Sequence, residues 1–202
     1  MSRRITIGEQ NFLTLRQENL FYIDKTKFIK EWWVGRDRVT LITRPRRFGK
    51  TLMLDTVNTF FSQEFAGRSD IFEGLEIWND EQFHKIQGTI PVISLSFAKI
   101  NNDTYNKTVS RIKSTLASIY GLFTPLIDIS AIPQAEKELF TSVQKSMSDD
   151  TAQDSLHYLC KFLTIQHKIK PIILLKIFFI SFVMTYHLFD FFLFDFFFFS
   201  PC

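Results

Sequence analysis

The residues best suited to chemistry lie in one short run, Arg44-Pro45-Arg46-Arg47-Phe48-Gly49-Lys50-Thr51. Each type has a use around a phosphate group. Gly49 lets the backbone approach an anion closely, and amides from Arg47 to Thr51 would cradle it at a helix N-terminus, where the dipole favours negative charge. Lys50 would reach the outer phosphates, and the Thr51 hydroxyl would ligate Mg2+. Arg44, Arg46 and Arg47 add positive charge around the same point. The bland alternative is a basic loop ahead of an ordinary helix, with Lys50 merely solvated.

Such a loop needs a strand before it and a helix after it. Val39 to Thr43 is an apolar, β-branched run that reads as a buried strand. After Lys50 the pattern turns helical, with Leu54, Val57 and Phe61 on one face at steps of three and four. Strand, glycine-ended loop, Lys-Thr, helix is the P-loop, or Walker A, arrangement. The spacing is incomplete, because the position five before Gly49, a glycine in G-x-x-x-x-G-K-[ST], is Arg44.

The rest of the chain supplies the frame. Residues 1–20 are polar and weakly patterned, and Phe28, Ile29, Trp32 and Trp33 then recur at helical spacing. Asp24 is expected to cap that helix and Gly35 to end it. Asp70 to Trp78 reads as a turn-rich connection anchored by Ile71, Phe72, Leu75 and Ile77. Ile90 to Phe97 is a second strand with Pro91 at its start. Asp103 opens a long helix whose stripe Tyr105, Val109, Ile112, Leu116 and Ile119 reads as core, closed by Gly121. Gln134 to Met147 is a further helix, and Thr151 with Asp154 resembles a capping box ahead of Leu156, Leu159 and Leu163. Pro171 to Leu175 is a short, fully apolar third strand. Strands alternating with helices predict an α/β fold, a largely parallel sheet flanked by helices, with ligands outside the carboxyl ends of the strands.

The run ITRPRRFGKT, preceded by LFYIDKTKFI and followed by DIFEGLEIW, resembles the AAA-ATPase-like family of P-loop proteins. In that family the loop is typically written RPRRFGKT, so Arg44 is the family's own variant. The three matches cover roughly residues 10–100, and weaker similarity continues to about 175. The resemblance implies ATP and Mg2+ as ligands, and it suggests that the YIDKT segment sits beside the nucleotide. Longer members carry a restriction-endonuclease-like domain near their C-terminus, of which nothing is present here. The family's third apolar strand leads into an acidic DEYD-like segment, the Walker B acids that hold Mg2+ and position water. Here Leu175 leads into Lys176-Ile177-Phe178, and no carboxylate follows before Asp190. That departure puts hydrolysis in doubt.

Composition sets the remaining bounds. With 202 residues the chain suits one domain, and a net charge of +3 is too mild to announce nucleic acid. Cys160 and Cys202 have no metal-ligand spacing, and His157 and His167 have no convincing partners. The start, MSRRITIGEQNF, lacks the apolar run of a signal peptide, which points to the cytoplasm or nucleus. Of the 24 Phe residues 11 fall after position 177. The chain is accordingly divided into a partial P-loop domain, 1–175, and a Phe-rich tail, 176–202.

Two readings of that tail stand side by side. In one it is a non-native extension, the product of a frameshift or retained intron in AT-rich DNA. In the other, residues 177–199 form a membrane tail anchor, long enough as a helix at ~1.5 Å per residue to cross a bilayer. Asp190 and Asp195 oppose insertion, each at ~2.5–3.5 kcal/mol mid-membrane and less near the end.

Three functions follow. The first is an ATP-binding domain with little or no turnover. The second is a non-enzymatic nucleic-acid-binding module using Arg44 to Arg47, a role in keeping with the family's nuclease-like domain. The third is an inactive, membrane-anchored fragment.

Overall fold

A computed structural model of the protein describes residues 4–43, 45, 48–97, 104–124, 133–145, 147–178 and 195–201. The helix that follows Gly49, α3 (Lys50–Phe61), buries Leu54, Val57, Phe60 and Phe61 along the expected face. Two helices precede it, α1 (Phe12–Gln17) and α2 (Lys27–Gly35). Asn11 caps α1 by accepting the Thr14 amide at 2.7 Å, a local bond that stabilises a segment with little hydrophobic pattern. The connection after α3 is three 3-10 turns, Gln63–Phe65, Ser69–Phe72 and Glu76–Asn79, followed by the short α4 (Glu81–His84). Its expected anchors Ile71, Phe72, Leu75 and Ile77 are all buried.

Four strands form one sheet in the order β1-β4-β3-β2. They are β1 (Thr40–Leu41), β2 (Val92–Ser96), β3 (Ile172–Phe178) and β4 (Asp195–Pro201). The pair β2 and β3 is parallel, with Val92 opposite Ile172 and Ser96 opposite Lys176. β4 runs antiparallel to both β3 and β1, pairing Phe199 with Leu174 and with Thr40. β1, β2 and β3 therefore run the same way, and β4 is the one reversed strand among the described residues. The α/β character expected from the sequence is present, with the parallel order interrupted by β4.

The first strand differs from expectation. It is two residues long, and Val39 and Leu41 are exposed rather than buried. It lies at the edge of the sheet among the described residues, with β4 as its neighbour, where fewer side chains surround it than at the centre. β3 runs across the boundary expected after Leu175. Of the span read as a tail anchor, Ile177–Phe178 and Asp195–Phe199 are strand, whereas 179–194, with Asp190, lie outside the described residues. No helix among the described residues is long and apolar enough to cross a membrane.

Three further helices, α5 (Tyr105–Phe123), α6 (Gln134–Lys145) and α7 (Asp149–His167), pack together. Several expected boundaries shift. Thr104 caps α5; Asp103 lies outside the described residues. The helix passes through Gly121 to Phe123. At α2 the left-handed residue is Arg36, one past Gly35. Ser148 caps α7 by accepting the Thr151 amide at 3.0 Å, so Thr151 is already inside the helix. In the α5 stripe, Leu116 and Ile119 are core but Tyr105 is 77% exposed.

Side chains of β2 and β3 alternate between two apolar clusters, as strand geometry requires. Val92, Ile172 and Leu174 join Phe12, Ile29, Val57 and Phe60 on one side of the sheet. Ile93 and Leu95, with Ile173 and Leu175 against them, join Tyr120, Phe140, Phe162 and Leu163 on the other. The result is a helix–sheet–helix arrangement in which the first turn of α3 meets the carboxyl-end half of β3, through Thr51 and Lys176, and its last residues meet the start of β2.

Candidate functional site

Gly49 stands at the N-cap of α3 with φ +73 and ψ 20, a left-handed conformation that glycine adopts without strain. It has no side chain to offer the first-turn amides, and no acid lies in that turn. The backbone N–H groups that open α3 are thus left without a side-chain cap, with the positive end of the dipole behind them.

Lys50 is the first residue of this helix and is 6% exposed. It does not point into solvent as in the bland reading. Gly49 and Lys50 line a hollow together with Phe48, Met53, Leu54, Ile42 and Lys25. Phe48 itself is exposed. Pro45 is exposed too, whereas Arg44, Arg46 and Arg47 lie outside the described residues.

Lys25 is a residue whose place the sequence did not specify. Its Nζ donates to the Phe48 carbonyl at 3.4 Å, and it lies 3.5 Å from the point a Cβ on Gly49 would occupy. The position of the YIDKT segment beside the loop was the available signal. Its neighbour Asp24 does not cap α2 as expected. Instead, Asp24 Oδ1 accepts the Thr26 amide at 2.8 Å and the Thr26 hydroxyl at 2.7 Å. Asp24 Oδ2 accepts the Glu76 amide, and Thr26 Oγ1 accepts the Ile77 amide at 3.1 Å. Two of the segments that resemble the family, YIDKT and DIFEGLEIW, are therefore clasped to each other, which fixes the backbone that carries Lys25.

On the other side of the first turn, a cleft of about 200 Å³ is lined by Thr51, Asp55, Asn58, Ser94, Ser96 and Lys176. Lys176 Nζ donates to Thr51 Oγ1 at 2.6 Å. The strand register fixes this meeting, since Lys176 sits opposite Ser96 at the carboxyl end of β2. Asp55 is the one carboxylate lining the cleft, and its Oδ2 accepts the Phe12 amide at 2.6 Å. Burial pushes the Asp55 carboxyl up, and the Phe12 hydrogen bond only partly opposes that.

This donor set does not fit the Mg2+ expected at Thr51. Mg2+ requires near-octahedral oxygen ligands at 2.0–2.1 Å, carboxylates among them, and here the hydroxyl already receives a hydrogen bond from an ammonium group. Among the described residues no group of three or more His, Cys, Asp or Glu could hold a metal ion. His167 Nδ1 accepts from Gln63 Nε2 at 3.2 Å, a structural contact at the C-terminal end of α7. Cys160 is a buried thiol.

Comparison with known proteins identifies relatives of the chain. The family model described as predicted AAA-ATPase matches residues 6–177. Over 102 residues the chain is 35% identical to a protein of Azotobacter chroococcum mcd 1 described as an uncharacterized protein in the vnfD 5′ region. That match covers 48% of this chain and 18% of the relative, so the chain spans about a fifth of the relative's length. No solved structure matches.

Proposed function

Since the chain belongs to the predicted AAA-ATPase family, we propose that it is a P-loop domain that binds ATP and turns it over little or not at all. Lys50 would neutralise charge on the outer phosphates, and the uncapped first-turn amides of α3 would hold the anion. Lys25 lines the same hollow as Gly49 and Lys50 and adds a second ammonium. The observation that carries the reading is the burial of Lys50 at the first position of a helix whose N-cap is a left-handed glycine.

Slow turnover follows from the strand end. Catalysis needs a carboxylate that holds the metal and another group that orients water. Leu175 is followed by Lys176, whose ammonium faces Thr51. No observation favours the nucleic-acid module or the membrane-anchored fragment.

Titration of a fluorescent ATP analogue against wild type and Lys50→Ala tests the reading. Affinity should fall roughly tenfold or more on loss of the charged contact. Equal affinity in the two proteins would sink it.

A further inference from the structure

We propose that Lys176 stands where a Mg2+ ion would, so that this site binds a nucleoside triphosphate without a divalent cation. The inference rests on the nucleotide-binding reading above and specifies its chemistry.

Three observations carry it. First, Lys176 Nζ donates to the Thr51 hydroxyl at 2.6 Å, the oxygen that would otherwise face the metal. A divalent ion at that oxygen would lie within a few ångströms of an ammonium group, and like charges at that range repel strongly. Second, the backbone of Lys176 is held by strand pairing, so its side chain starts from a fixed point beside Thr51. Lys176 lies within β3, bonded to β2 on one side and β4 on the other, with Ser96 and Phe197 as its register partners. Third, the cleft it shares with Thr51, about 200 Å³, is lined by Ser94, Ser96 and Asn58 together with the apolar Leu54 and Leu95. Its one carboxylate, Asp55, is engaged by the Phe12 amide. One carboxylate among neutral and apolar groups is a poor ligand set for a hard cation.

The charge count agrees. Lys25, Lys50 and Lys176 reach the first turn of α3 from three separate elements. Ammonium groups can balance a polyphosphate as point charges, each donating up to three hydrogen bonds. In this arrangement Lys176 bridges the Thr51 hydroxyl and a phosphate oxygen, the role a metal ion plays in a related site.

The experiment is a titration of fluorescent ATP analogue against the full chain in EDTA and again in excess magnesium, repeated for Lys176→Gln and Lys176→Asp. Wild type should bind with affinities within about threefold of each other in the two conditions. Lys176→Gln should lose roughly tenfold in EDTA. Lys176→Asp should bind only with magnesium, because a carboxylate beside Thr51 restores a metal ligand. Inorganic tripolyphosphate should displace the probe from wild type in EDTA. Binding by wild type only when magnesium is present would overturn the inference and leave the nucleotide-binding reading standing. Absence of binding in both conditions would overturn both. The wild-type comparison needs no substitution, so a variant that fails to fold does not blunt it.

Discussion

Asp24 reaches across 52 positions of sequence to accept the backbone amide of Glu76 at 2.7 Å. Its other oxygen takes the amide and hydroxyl of Thr26. Truncation at Asp24 would leave the Glu76 amide without its partner and release the Thr26 hydroxyl that receives Ile77. Asp24→Ala should therefore lower stability by about 1–2 kcal/mol, with Asp24→Asn costing less. Urea melts of the two variants check this, and identical midpoints to wild type would contradict it.

Lys25 gives a second prediction, on binding rather than stability. Its Nζ contacts the Phe48 carbonyl and lies over Gly49. Lys25→Ala should weaken the ATP analogue by roughly three- to tenfold, since it removes one charged contact of the proposed set. The melting temperature should stay within a degree or two of wild type. A large loss of stability with unchanged affinity would assign Lys25 to packing.

Glycines at positions 88 and 121 should respond in opposite directions. Gly88 has φ +67, and a Cβ there would meet the Ala66 Cα at 2.5 Å. Gly88→Ala thus combines a left-handed backbone with a clash against main chain, and should destabilise by about 1–3 kcal/mol. Gly121 sits inside α5 with nothing within 4 Å of the site of a Cβ. Gly121→Ala should stabilise by about 0.5–1 kcal/mol, the helix-propensity difference. Paired thermal melts report both signs at once.

His167 predicts a pH dependence. Burial pushes its imidazole below the ordinary value, and Nδ1 faces the Gln63 amide. The unfolded chain, with a value near about 6.5, takes up the proton first as pH falls. The unfolded state then binds more protons than the folded one, so stability rises with pH across that window. The contribution is complete above about pH 6.5 and disappears as pH drops from there through the folded value. His167→Gln should flatten the slope of melting temperature against pH between about 7 and 5.5 relative to wild type. A parallel slope would remove His167 as its source.

The sequence was most informative where its signal is periodic or local. The α3 face of Leu54, Val57 and Phe61 is buried as the spacing implied, and the anchors from Ile71 to Ile77 are too. The stripe of α5 was half right. Periodicity records which side a helix offers, not where along its length a partner lies, so Tyr105 is exposed whereas Leu116 and Ile119 are core. The first strand misled because an apolar, β-branched run does not say whether it will lie at the centre of a sheet or at its edge. Asp24 looked like a helix cap because capping is a rule about nearby amides, and its actual partner at Glu76 is distant in sequence. The Thr51–Lys176 contact spans 125 positions. Its only trace in the sequence was a basic residue following Leu175 where the family resemblance led one to look for an acid.

β2 and β3 give one row of side chains to each of two apolar clusters, and the clusters share little besides the backbone between them. Two cores of separate membership are expected to loosen in steps, so calorimetry should give a broad or split transition, with the nucleotide raising chiefly the component to which α3 belongs, and a single sharp transition would contradict this.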